Sequence, residues 1–140
     1  MKTINWRRLL GSGIVTGFVW GLLYALIHPA VEAHDLSGRP VLPLTPFQGA
    51  GIAIRVIVIV NPIVLGVFTM WLYAGIRPRF GPGPRTAALA GFAVWFLSSW
   101  VQVSWAAFTQ VPPQILVGPL GSSLLISLAA AIAGGWLYKE

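Results

Sequence analysis

The sequence predicts an all-α integral membrane protein, a bundle of four transmembrane helices, and three observations carry that prediction. Positions 86 to 138 contain no Asp, Glu, Lys, Arg or His, a silence that a soluble domain with a solvated face cannot keep. Two further charge-free runs, Leu9 to Ile27 and Val56 to Ile76, precede it. The chain is 56% hydrophobic and 9% charged, with a mean hydropathy of +0.80, where soluble domains carry about 25% charged residues. Backbone polar groups in lipid must be satisfied within the fold, which leaves helices or a closed barrel. Runs this long and unbroken are not barrel strands.

A helix rises about 1.5 Å per residue, so roughly 20 residues cross a hydrocarbon core. On that measure residues 1–140 form one transmembrane domain with helices at about 7–27, 50–76, 86–109 and 114–138. The first could be a secretory signal, with Lys2, Arg7 and Arg8 as its basic region and Val31-Glu32-Ala33 as a cleavage site. Its apolar run, Leu9 to Ile27, is longer than a signal core of about 7–15 residues, so a retained first helix is expected. An outer loop is expected over about 28–48, where Pro29, Pro40, Pro43 and Pro46 favour extended structure. An inner loop is expected over about 77–85, and Pro112-Pro113 marks a tight second outer turn.

Orientation follows from the cations. Lys2, Arg7, Arg8, Arg77, Arg79, Arg85 and Lys139 all fall on one side of that topology, which the positive-inside rule makes cytoplasmic. Both termini are then expected in the cytoplasm, in a bacterial inner membrane. The net charge of +6 is spent on helix ends and forms no continuous face, so nucleic acid is not an expected partner. The chain has no cysteine, which removes disulfides, thiolate metal sites and iron–sulfur ligation.

The two halves also echo each other. Trp71-Leu72-Tyr73 closes the second helix and Trp136-Leu137-Tyr138 the fourth; Gly17-Phe18-Val19-Trp20 is matched by Gly91-Phe92-Ala93-Val94-Trp95 with one insertion. Both hairpins would run in the same sense, so a duplication would be parallel.

Several residues are candidates for more than filling. Gly13, Gly17 and Gly21 repeat every four residues, and Ser123, Ser127, Ala131 and Gly135 form a similar strip. Small residues let backbones approach where lipid supplies no hydrophobic contrast. The plain reading is mutual contact between helices one and four; the functional one is a face for a partner subunit. Trp20 and Tyr24 lie within ~20° of Gly13 on a helical wheel, so the strip could also seat a flat ligand or a lipid tail. In the third helix Gly91, Trp95, Ser98, Ser99, Gln102, Ala106 and Thr109 share one side, within about 45–60°. A glutamine at that depth is expected to turn inward and bond another helix; a polar path is the alternative. Asn61-Pro62 interrupts the second helix, where a kink is expected. Arg55, Arg77, Arg79 and Arg85 are placed to hold lipid headgroups, and Trp6, Trp71 and Trp136 to form an aromatic belt at the inner interface.

His28, Glu32, His34 and Asp35 form the one cluster with metal-ligand chemistry. His28 and Glu32 would share a face only if the helix ran on through Pro29, so no metal is expected. Either histidine, His28 or His34, could ligate a haem or chlorophyll from the membrane edge.

The string Trp71 to Ala87, WLYAGIRPRFGPGPRTA, with the ending GGWLYKE from Gly134 to Glu140, resembles an uncharacterised family of small bacterial inner-membrane proteins. The resemblance implies four membrane helices and no assigned activity. Members of that group often carry an acidic residue within a membrane helix; this chain has none from Leu9 to Ile27 or from Thr86 to Tyr138.

The function expected from these residues is largely set by elimination. Cation coupling needs intramembrane carboxylates, and a hydrolase needs a nucleophile with a base or metal beside it; here serines lie in the membrane with no histidine at their depth. A non-enzymatic role is therefore expected. The leading form is an accessory subunit of a larger membrane complex, photosynthetic or respiratory, packed among partner subunits and membrane lipids. Two alternatives stand beside it. One is a small-solute channel or transporter working as a homo-oligomer, with Asn61, Ser98, Ser99 and Gln102 along the path. The other is a protein that binds haem, chlorophyll or quinone, shared with a partner.

Overall fold

The computed structural model describes residues 5–33 and 51–138, and the side chains of all of these except 28–33. Among the described residues the chain is four α-helices and no strand: α1 Trp6–Ala33, α2 Ile52–Phe80, α3 Pro84–Phe108 and α4 Pro113–Leu137. All four are long and apolar enough to cross a membrane, and the protein is a multi-pass membrane protein built as a four-helix bundle. His34, Asp35, Lys139 and residues 34–48 of the expected outer loop lie outside the described residues, while 28–33 belong to α1.

Local chemistry sets most of the helix ends. The Asn5 side chain accepts a hydrogen bond from the Arg8 backbone N–H at 3.2 Å, capping one of the free donors of α1. α3 and α4 both begin on a proline, which loses nothing at a position whose N–H has no helical partner. α3 ends at Thr109 with Gln110 in the left-handed region, φ 55°. There the N–H of Val111 bonds Ala106 O at 2.9 Å and that of Gln110 bonds Ala107 O at 3.3 Å, the paired closure that usually takes glycine.

Two helices run past their expected ends. α1 continues through Pro29 to Ala33 and α2 through Pro78 to Phe80, so the inner connection shrinks from 77–85 to 81–83. A proline removes one hydrogen bond from a last turn, and that is not enough to end a helix. The stop comes at Gly81 and Gly83, with φ of 80° and 143°, conformations open to glycine. Arg77 and Arg79 therefore stand in the last turn of α2, where cations complement the helix dipole. Pro62 likewise lies inside one continuous α2.

The helices alternate in direction. α1 packs on α2 and α4, α3 packs on α2 and α4, α2 meets α4, and the backbones of α1 and α3 do not approach each other. Helix α1 crosses α2 at its glycines: a Cβ on Gly13 would fall 2.6 Å from Val67 Cα, one on Gly17 2.6 Å from Pro62 O, and one on Gly66 onto the backbone of Gly17. The expectation that this strip faces the fourth helix is thus corrected; it faces α2, and a Cβ on Gly21 would stand 3.3 Å from the Pro62 ring. The helical wheel shows which side of α1 is small but not which neighbour occupies it.

The α4 strip packs on α3. Ser127 Oγ donates to Gly91 O at 2.7 Å, Trp95 Nε1 donates to Ser123 Oγ at 3.1 Å, a Cβ on Gly91 would stand 2.7 Å from Ala131 Cβ, and one on Gly135 2.7 Å from Ala87 Cβ. The echo between the halves reaches this packing. Matching Tyr73 to Tyr138 carries Pro62 onto Ser127 and Gly66 onto Ala131, while Gly17 corresponds to Gly91. The trio at the crossing of α1 and α2 is the trio at the crossing of α3 and α4.

Candidate functional site

The bundle has two unlike ends. The basic end carries Arg7, Arg8, Arg77, Arg79 and Arg85. Here Leu9, Met70, Tyr73 and Tyr138 are fully buried and pack with Ala74, Ala87 and Ala90. The two tyrosines of the repeated WLY sequence meet edge to face, ring centroids 5.9 Å apart, and the Arg77 guanidinium lies 5.6 Å from the centre of the Tyr138 ring. Tyr73 OH accepts a hydrogen bond from Gly83 N–H at 3.3 Å, and Thr86 Oγ1 donates to Gly81 O at 2.8 Å. The short connection is therefore tied down from both sides. Trp6, Trp71 and Trp136 point out of the bundle at this end, as residues of an interfacial belt do.

Among the described residues the far end is open. From Ile52, 81% exposed, to Asn61, only Val58 is even partly covered, and on α3 Trp105 and Phe108 are exposed, the latter by 84%. Arg55 is exposed in this stretch. Asn61 lies about 140° round α2 from the buried Gly66, on a side it shares with the exposed Val64, Phe68 and Trp71. It is the one amide on an otherwise apolar outward face of α2.

The polar side of α3 divides along its length. Gly91, Ser99 and Ala106 are buried. Ser98 is exposed and its hydroxyl turns back to Val94 O and Trp95 O, each at 3.0 Å. Gln102 and Thr109 are exposed as well. The inward glutamine expected from the sequence is corrected here: Gln102 sits within about 20° of Gly91 on the helical wheel, in the middle of the inward arc, yet is uncovered. Its direction is inward, but at its level the bundle has opened. Counting about 1.5 Å per residue, Gln102 stands roughly 25 Å along α3 from Arg85, and Asn61 about 24 Å along α2 from Arg77. Two amides thus occur at one depth, both uncovered.

The aromatic pair expected beside the glycine strip is divided. Trp20 is buried with Val94, Ile126 and Ala130, on the side of α3 and α4, and Tyr24 is exposed. Helix α1 carries positions 28 and 32 at a four-residue spacing. No group of three metal-ligating side chains occurs among the described residues. Sequence reasoning missed the Tyr73–Tyr138 pair, although the repeated WLY was its signal. It also missed the aromatic ladder of Phe92, Phe96 and Trp100, with centroids 6.3 Å apart at each step, which the spacing of four residues announces.

Against protein-family models, curated proteins and solved structures, the chain matches nothing. The class therefore rests on the fold and its apolar surface: a multi-pass membrane protein, all-helical, with one sealed end and one open end.

Proposed function

We propose that this chain is a non-catalytic subunit of a larger membrane assembly, docking partner helices against its open end. The observation that carries the reading is Gln102, which points into the bundle's own interior and yet is uncovered. An amide within the membrane seeks another helix, for about 0.6–2 kcal/mol per hydrogen bond. Asn61 at the same depth, and Gly121, where an added Cβ would meet open space, support a neighbour at this end. The resemblance to small bacterial inner-membrane proteins and the gathered arginines support an inner-membrane setting, with the basic end in the cytoplasm.

The test is purification from native membranes in mild detergent, with size, subunit mass spectrometry and an absorption spectrum on one peak, for wild type and for Gln102→Leu with Asn61→Leu. Co-elution with a different polypeptide in fixed stoichiometry, weakened in the double variant, is the expected result. A colourless homo-oligomer holding only lipid would overturn it and put solute transport first.

A further inference from the structure

A groove runs down the outside of the α1–α2 hairpin at the basic end. It has a volume of about 350 Å³ and is apolar throughout, lined by Trp6 and Leu9 of α1 and by Ile63, Val67, Phe68 and Trp71 of α2. The two helices touch at Gly13, Gly17 and Gly66, and the groove lies beside that contact. Phe68 and Trp71 stack at 5.5 Å and form one wall. From Ile63 to Trp71 the groove is about 12 Å long, close to the ~15 Å depth of hydrocarbon in one leaflet.

Arginines flank its lining residues in sequence: Arg7 follows Trp6 directly and is exposed, Arg8 comes next and is exposed, and Arg79, also exposed, lies two turns beyond Trp71. Among the described side chains this end carries no acid. An apolar slot of one leaflet's depth, opening beneath arginines, has the chemistry of a single amphiphile: an acyl chain below, an anionic headgroup above.

We propose that this groove is a binding site for an anionic phospholipid, with one acyl chain lying along Ile63 to Trp71 and its phosphate held by Arg7 and Arg8. The site is complete within one hairpin and does not depend on any partner subunit. It differs from general attraction of lipid to the basic surface in that it places a chain in a defined slot and so responds to filling that slot.

The test is native mass spectrometry of the full chain from micelles holding phosphatidylglycerol and phosphatidylcholine with matched acyl chains. The expected wild-type result is retention of one phosphatidylglycerol in preference to phosphatidylcholine, by about fivefold for each arginine engaged. Val64→Trp, at a groove residue that is 57% exposed, should fill the slot and abolish retention of both lipids. Arg7→Gln with Arg8→Gln lies outside the packed core and gives an independent reading: retention should persist and the preference should vanish. Equal retention of the two lipids by wild type, or unchanged retention in Val64→Trp, would overturn the proposal. So would a concentration-dependent dimer, broken by Val64→Trp and free of lipid, which would assign the groove to a second copy of the chain.

Discussion

Along α2 the stretch at the far end of the bundle is the more apolar of the two, and only the stretch at the basic end is packed. Residues 52–60 of α2 read Ile-Ala-Ile-Arg-Val-Ile-Val-Ile-Val, with Ala53 the one small residue, and all but Val58 are exposed. Residues 66–74 of the same helix include Gly66, Thr69 and Ala74, and here Met70 and Tyr73 are sealed. Hydrophobicity does not decide which stretch is covered, because lipid is as apolar as isoleucine. Small residues do, since they let backbones close to van der Waals contact.

The largest expected break in that contrast is at the tyrosine pair. Tyr73→Ala should cost about 3–5 kcal/mol in reversible unfolding in mixed micelles, as removal of a buried aromatic does, whereas Phe108→Ala at the far end should stay within ~0.5 kcal/mol. Equal losses at the two sites would mean that the far end is packed after all. Next comes the glycine crossing. Gly66→Val would drive a branched side chain into the backbone of Gly17 and should destabilise by about 1–3 kcal/mol; Gly121→Val, with open space around it, should leave the isolated chain nearly unchanged. A matching loss at Gly121 would count against small residues as the cause of the difference. The smallest effect sharpens the comparison in the other direction. Gln110 holds a left-handed conformation that costs an L-residue about 1 kcal/mol, so Gln110→Gly should raise the unfolding midpoint without burying any further surface.

Much of the architecture was legible in the residues. The charge-free runs placed all four helices, because a chain in lipid has few ways to satisfy its backbone. The helix ends were less legible. Pro29 and Pro78 read as stops, but each removes one hydrogen bond near a terminus and the helix runs through it, while the left-handed Gly81 ends α2. The wheel gave the right directions for Gly17 and Gln102 and could not say what stands opposite them, since that depends on which helices are neighbours and how far along they stay together. Hence the glycine strip found α2 where the fourth helix was expected, and Gln102 faces inward into an opening.

The turn between α3 and α4 has a consequence for how the protein enters its membrane. Residues 109–112 join two antiparallel spans and carry no charge, so taking this corner through the hydrocarbon avoids the ~2.5–3.5 kcal/mol that each charged side chain would add at the bilayer centre. The connection between α1 and α2 holds Asp35 and Arg39 and has no such freedom. A second hairpin that crosses turn first therefore carries no charge through the hydrocarbon, whereas a first hairpin that crosses loop first must carry Asp35 and Arg39 with it.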